Sequence, residues 1–172
     1  MATKRFRTLL MATAVTFAAT ATAQNASDSK SFANRLLLGF NVGTGTPSKH
    51  ITPVNIAAQV GYRFIPNMYA FVTVEGGSSL YHKDDVKTWG STNGLGGGLG
   101  YTFYRDGALN LSAEASAMGT VGSPDFKQTT FDVRCVMQYH MGSLSLGFRH
   151  SSSNTTGVPD YNGMYATIGW RL

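Results

Sequence analysis

The stretch Phe131-Asp132-Val133-Arg134-Cys135-Val136-Met137-Gln138-Tyr139-His140-Met141 places an apolar or aromatic side chain at every odd position. Apart from Val136, every even position is polar or charged. A period of two marks a strand whose two faces meet different surroundings. The same alternation recurs on both sides of this stretch. Leu109, Leu111, Ala113, Ala115 and Ala117 lie opposite Asn110, Ser112, Glu114 and Ser116. Val54, Ile56, Ala58, Val60, Tyr62 and Phe64 lie opposite Asn55, Gln59 and Arg63. Leu95, Leu99, Tyr101 and Phe103 face away from Gly96, Gly98, Gly100 and Thr102. The helical period of 3.6 is nearly absent, and the pattern predicts eight strands, at about 34–43, 53–65, 68–80, 93–105, 108–118, 129–141, 143–153 and 161–172.

The connections choose the architecture. Three are tight, at Pro66-Asn67, Asp106-Gly107 and Gly142, and they alternate with long polar ones at 44–52, 81–92, 119–128 and 154–160. Short turns at one end and long loops at the other fit a membrane barrel with periplasmic turns and external loops. A soluble sandwich would bury its apolar face against a second sheet. The opposite face, however, carries Glu75, Glu114, Asp132, Arg63, Arg134, Arg149 and Arg171, too many charges for a dry core. Tyr62, Phe64, Tyr69, Tyr101, Phe103 and Trp170 gather where strands meet the tight turns, as an interfacial girdle does. The expected fold is therefore all-β, an eight-stranded antiparallel up-and-down transmembrane β-barrel over 34–172. A barrel of this size is filled by its own side chains, so the inward acids and arginines are expected to pair and leave no channel. The glycines at 94, 96, 97, 98 and 100 lie within a strand, where they permit bends and close packing, and no helix follows to make a nucleotide loop.

Composition agrees. The 172 residues are 42% hydrophobic and 13% charged, about half the ~25% charge of soluble proteins, and suffice for one domain. The single Cys135 excludes an intramolecular disulfide and a cysteine-based zinc cluster. Residues 1–23 read as a signal peptide: Lys4, Arg5 and Arg7, a short apolar run from Leu9 to Ala19, then Ala21-Thr22-Ala23 before Gln24. A short segment, 24–33, leads into the barrel. Cleavage removes three of 14 basic residues and none of 9 acidic ones, leaving 11 against 9, or +2. That balance excludes a nucleic-acid partner, and the signal peptide points to export, with the outer membrane of a Gram-negative bacterium as destination.

One constellation carries chemistry. In strand seven the outward parity runs Leu144, Leu146, Phe148, then His150, Ser152 and Asn154. His150 and Ser152 stand about 6–7 Å apart along one strand face, the minimal pair for an activated serine nucleophile. Asn154, or backbone N–H groups of the following turn, can receive a developing oxyanion. The stretch Arg149-His150-Ser151-Ser152, with Asn154, Gly157, Pro159 and Asn162-Gly163 following, resembles the lipid A 3-O-deacylase (PagL-type) family. The resemblance implies an eight-stranded outer-membrane barrel with His150 as general base and Ser152 as nucleophile, cleaving an ester-linked acyl chain of lipopolysaccharide without a cofactor or metal. Two positions depart from the family. Ser153 intervenes before Asn154, and Asn162-Gly163-Met164-Tyr165 stands where the family places a glutamate. Asp160 is the nearest carboxylate and is expected to orient the imidazole. A non-catalytic small barrel of the OmpX or OmpA-domain type, with a structural or surface-binding role, has the same strand plan and stays open as the alternative. A monomer or weak homodimer, inserted by barrel-assembly machinery, is expected in either case.

Other residues draw weaker expectations. His50 and His82, the latter with Asp84 and Asp85, sit in loops without metal-ligand spacing. His140 is expected in the lumen, Cys135 on the lipid face, and Trp89 and Tyr81 on a long external loop.

Overall fold

A computed structural model describes Phe32, residues 34–83 and residues 86–172, with the backbone alone at 81–83 and 86–88. The expected signal peptide and nearly all of 24–33 lie outside the described residues, as do Asp84 and Asp85.

Eight strands follow in order: β1 (Leu36–Gly45), β2 (Ile51–Ile65), β3 (Met68–Lys83), β4 (Val86–Asp106), β5 (Leu109–Thr120), β6 (Gln128–Tyr139), β7 (Gly142–Ser153) and β8 (Tyr161–Arg171). Each pairs with its neighbours in sequence, and β1 pairs antiparallel with β8, so the sheet closes into a barrel. No helix among the described residues is long and apolar enough to cross a membrane. The alternation read from the sequence maps onto the two walls. Val133 and Ile168 face outward at 64% and 68% exposure, as do Val60, Val72, Leu99 and Leu146. Glu75, Glu114, Asp132, Arg134, Arg149 and Arg171 are buried inside. This is a barrel with its polarity inverted, and only a surrounding apolar medium makes such an outer wall stable.

The lumen holds two ion clusters. Arg149, 2% exposed, forks onto two carboxylates: Nε and Nη2 to Asp132 at 2.7 Å each, Nη1 and Nη2 to Glu75 at 2.9 and 2.8 Å. The Tyr165 ring lies 3.8 Å from its guanidinium carbon. Nearer the tight turns, Glu114 receives Arg134 Nε at 2.8 Å and Nη2 at 2.7 Å, Arg171 Nη1 at 2.6 Å and the Tyr69 hydroxyl at 2.6 Å. Arg63 is half-buried, its Nε being the buried side-chain nitrogen without a partner among the described residues.

Three expectations are corrected. Tyr69 is not in the girdle; at 1% exposure it lies inside against Phe71, on the parity it shares with Thr73 and Glu75. Tyr62, Phe64, Tyr101, Phe103 and Trp170 do face outward, joined by Tyr104 and Tyr139. Ladder irregularities around Phe64 and Phe103 turn successive side chains out at the rim. The run 81–92 is not a long loop, because β3 continues to Lys83 and β4 starts at Val86, making a hairpin that outruns its neighbours: β4 meets β5 only from Gly94 onward. Last, the β6–β7 turn is His140-Met141, with Gly142 already in β7. His140, at φ 51° and exposed, stacks edge-on with Tyr139 at 4.6 Å instead of joining the lumen network.

Close packing explains one glycine of β4. A Cβ at Gly100 would fall on the Tyr69 ring, whose hydroxyl is fixed by Glu114. Gly100→Val is expected to cost about 1–3 kcal/mol by overpacking, read as a lower urea midpoint in micelles, whereas Gly119→Val, where nothing lies within 4 Å, leaves the midpoint unchanged. Equal midpoints for the two variants would refute this packing account.

Candidate functional site on the outer wall of β7 and β8

The register β7 to β8 pairs His150 with Asn162, and β6 to β7 pairs Phe131 with His150 and Thr129 with Ser152. Ser151 and Arg149 are buried, so His150 and Ser152 take the outward parity above Phe148 and Leu146. His150 Nδ1 lies 2.6 Å from Asn162 Oδ1. With the amide oxygen as acceptor, the ring carries its proton on Nδ1 and Nε2 is left as the basic nitrogen. Ser152 stands two residues on along the same face, and no hydrogen bond joins it to the ring among the described residues. At strand spacing, a rotamer change is what brings hydroxyl and Nε2 together.

Asp160 does not orient the imidazole. Its Oδ1 accepts the Ser153 N–H at 2.7 Å, holding the start of the β7–β8 connection. Asn162, uncharged and so without a signal of its own in the sequence, stands beside the ring where an acid is expected. The signal for it is the cross-strand register, which depends on how many residues the 154–160 connection consumes.

Three backbone donors at the start of that connection are committed. Ser153 N–H goes to Asp160, Thr155 N–H to Ser153 Oγ at 3.2 Å, and Asn154 N–H to Lys127 C=O at 2.7 Å. Ladder alternation turns the Ser152 N–H the same way as that of Asn154, toward β6. The exposed Asn154 side chain remains as an oxyanion donor.

Neighbouring connections hold this rim. Lys127 N–H donates to Thr155 Oγ1 at 2.8 Å, and Phe126 N–H to Ser91 C=O at 3.0 Å. Asp125 Oδ2 accepts both the backbone N–H and the hydroxyl of Ser91 at 2.8 Å, bonds that hold this exposed carboxyl below its usual range. The other expected candidates do not converge here. His50 is exposed at φ 67°, Trp89 is exposed on the long hairpin, and Cys135 faces outward on β6. The side chains of Tyr81 and His82, like Asp84 and Asp85, lie outside the described residues.

The barrel and its inverted walls define an eight-stranded β-barrel of the outer-membrane type. No protein-family model matches the chain, and no curated protein is significantly similar to it. Among solved structures it is similar to Ail, the attachment invasion locus protein of Yersinia pestis, at 6% identity and TM-score 0.45, over 80% of this chain and 97% of that one. It is also similar to the de novo designed TMB2.3, at 14% identity and TM-score 0.38, over 80% of this chain and 92% of that one.

Proposed function

We propose that this chain is an integral protein of a Gram-negative outer membrane, exported through a signal peptide at 1–23, that acts as a serine esterase on lipopolysaccharide, removing an ester-linked acyl chain from lipid A. The observation that carries the reading is the His150–Asn162 hydrogen bond on the outward wall, beside Ser152. It leaves Nε2 as a base facing the medium in which an acyl ester resides. The exposed Phe148 and Leu146 directly below offer an apolar track for the chain being cleaved.

The steps follow from these roles. Ser152 Oγ attacks the ester carbonyl while His150 Nε2 takes its proton. Negative charge on the carbonyl oxygen is received by the Asn154 amide. Collapse breaks the bond to the sugar oxygen, which leaves with the proton returned by His150. A water molecule, deprotonated in turn by His150, then attacks the acyl–Ser152 ester; the bond to Ser152 Oγ breaks as His150 returns that proton to it, and the fatty acid is freed. Serine ester chemistry of this kind requires no cofactor. Asn162 keeps the ring in its working tautomer, the role of the neutral asparagine in cysteine–histidine–asparagine sites.

The test uses protein refolded in detergent micelles with purified lipopolysaccharide, reading lipid A mass and released fatty acid. Wild type is expected to remove one hydroxyacyl chain, and Ser152→Ala none. Intact lipid A after incubation with folded, heat-modifiable wild type would overturn the esterase and leave the non-catalytic small-barrel role.

A further inference from the structure

We infer that Thr46 and Tyr161 are positioning residues for His150, acting through Asn162. The kinetic part of this inference rests on the esterase reading; the part concerning the imidazole does not. The ladder between β1 and β8 ends at Gly45–Tyr165, whereas β7 pairs with β8 as far as Ser151–Tyr161. Residues 161–164 of β8, which include Asn162, therefore have a strand on one side only.

Thr46, the first residue beyond β1, closes the open side. Its N–H donates to Met164 C=O at 2.9 Å, and its Oγ1 accepts the Met164 N–H at 3.1 Å. Its C=O accepts the Tyr161 hydroxyl at 2.9 Å, which also lies 3.3 Å from Met164 C=O. One threonine thus replaces a missing strand partner, using backbone donor, backbone acceptor and side-chain oxygen. Tyr161, 3% exposed, comes from the lumen side to complete the clamp. Gly163 makes room for it: a Cβ there would strike the Tyr161 hydroxyl and stand 2.8 Å from Thr46 Oγ1.

Asn162 sits between Tyr161 and Met164 and points away from the Tyr161 ring, outward to His150. An asparagine has two side-chain torsions, so the position of its Oδ1 follows the backbone at 161–163. Fraying of that backbone would lengthen the 2.6 Å contact and release the ring to its other tautomer. A site group must be held to within about 0.5 Å to keep its function, and the clamp supplies that restraint from the far side of the sheet.

The experiment compares wild type with Thr46→Val, Tyr161→Phe and Thr46→Ser, each refolded in micelles and checked by heat modifiability. Nitrogen-15 NMR reads the His150 tautomer, the resonance being assigned by its loss in His150→Ala. Wild type and Thr46→Ser are expected to hold the Nδ1–H form. Thr46→Val and Tyr161→Phe are expected to shift toward a mixture with the Nε2–H form. In the lipopolysaccharide assay the same two variants are expected to lose about tenfold to a hundredfold in kcat, with KM within about twofold, because the restraint acts on the base and not on lipid binding. An unchanged tautomer in folded Thr46→Val and Tyr161→Phe would overturn the inference. A shifted tautomer with no fatty-acid release by wild type would overturn the esterase and leave the clamp standing.

Discussion

Arg149→Met is expected to destabilise the folded barrel by about 3–5 kcal/mol, because it strands two carboxylates in the lumen without a cation. Glu75 and Asp132 are both buried, and Arg149 gives each of them a forked pair of hydrogen bonds. Arg149→Lys is expected to fall between wild type and Arg149→Met, since an ammonium keeps the charge but cannot make the paired forks. Replacing all three residues, Arg149→Met with Glu75→Leu and Asp132→Leu, is expected to recover most of the loss, for a well-packed apolar set is often as stable as a buried ion cluster. Urea unfolding in micelles, followed by tryptophan fluorescence and gel mobility, measures each step. An Arg149→Met barrel as stable as wild type would show that the carboxylates are solvated and that the lumen is wet.

The second large effect concerns the outer wall. His150→Ala is expected to lower fatty-acid release from lipopolysaccharide by about 10³-fold or more, as loss of the base does in serine hydrolases. Asn162→Ala removes the Nδ1 partner and leaves the base present but unoriented, so a smaller loss of about tenfold to a hundredfold is expected. Asn162→Asp is expected to run the other way. A charge-assisted hydrogen bond contributes about 1.5–3 kcal/mol where a neutral one contributes 0.5–1.5, and the difference favours the imidazolium formed in the transition state. Initial rates of acyl release at fixed lipid-to-micelle ratio give all three values. Rates for His150→Ala and Asn162→Ala equal to wild type would reduce the pair to headgroup contacts.

Most of the barrel was legible because side-chain parity does not depend on which wall faces water. The pattern at 131–141 reads the same whether its apolar side meets a core or a lipid, and the charges opposite it decide between the two. Proximity to a turn suggests the girdle for Tyr69, whereas its parity with Phe71, Thr73 and Glu75 puts it inside. The β3–β4 hairpin is hidden in the sequence for a different reason. Beyond the membrane both of its faces can be polar, so an alternation of contrast is not required and 81–92 reads as loop. An expected strand at 129–141 overruns β6 by two residues, into a turn where His140 takes positive φ. At the site, His150 and Ser152 come from one strand and share a face by local spacing alone. Asn162 and Thr46 come from elsewhere, and their arrival is fixed by loop length and barrel closure, which no local spacing encodes.

The lumen pairs bear on the order in which the sheet is assembled. Arg171 on β8 binds Tyr69 and Gln59, 102 and 112 residues away in the chain, and Arg149 on β7 binds Glu75, 74 residues away. None of these partners can meet while the sheet is open. In a half-curled sheet Arg149 keeps its neighbour Asp132 and Arg134 keeps Glu114, but Glu75 and Arg171 lack the partners that closure brings, which disfavours intermediates short of the closed ring in a bilayer. Pairing β1 with β8 is thus also the step that brings these cross-lumen partners together, so the seam and the completed ion clusters form as one event.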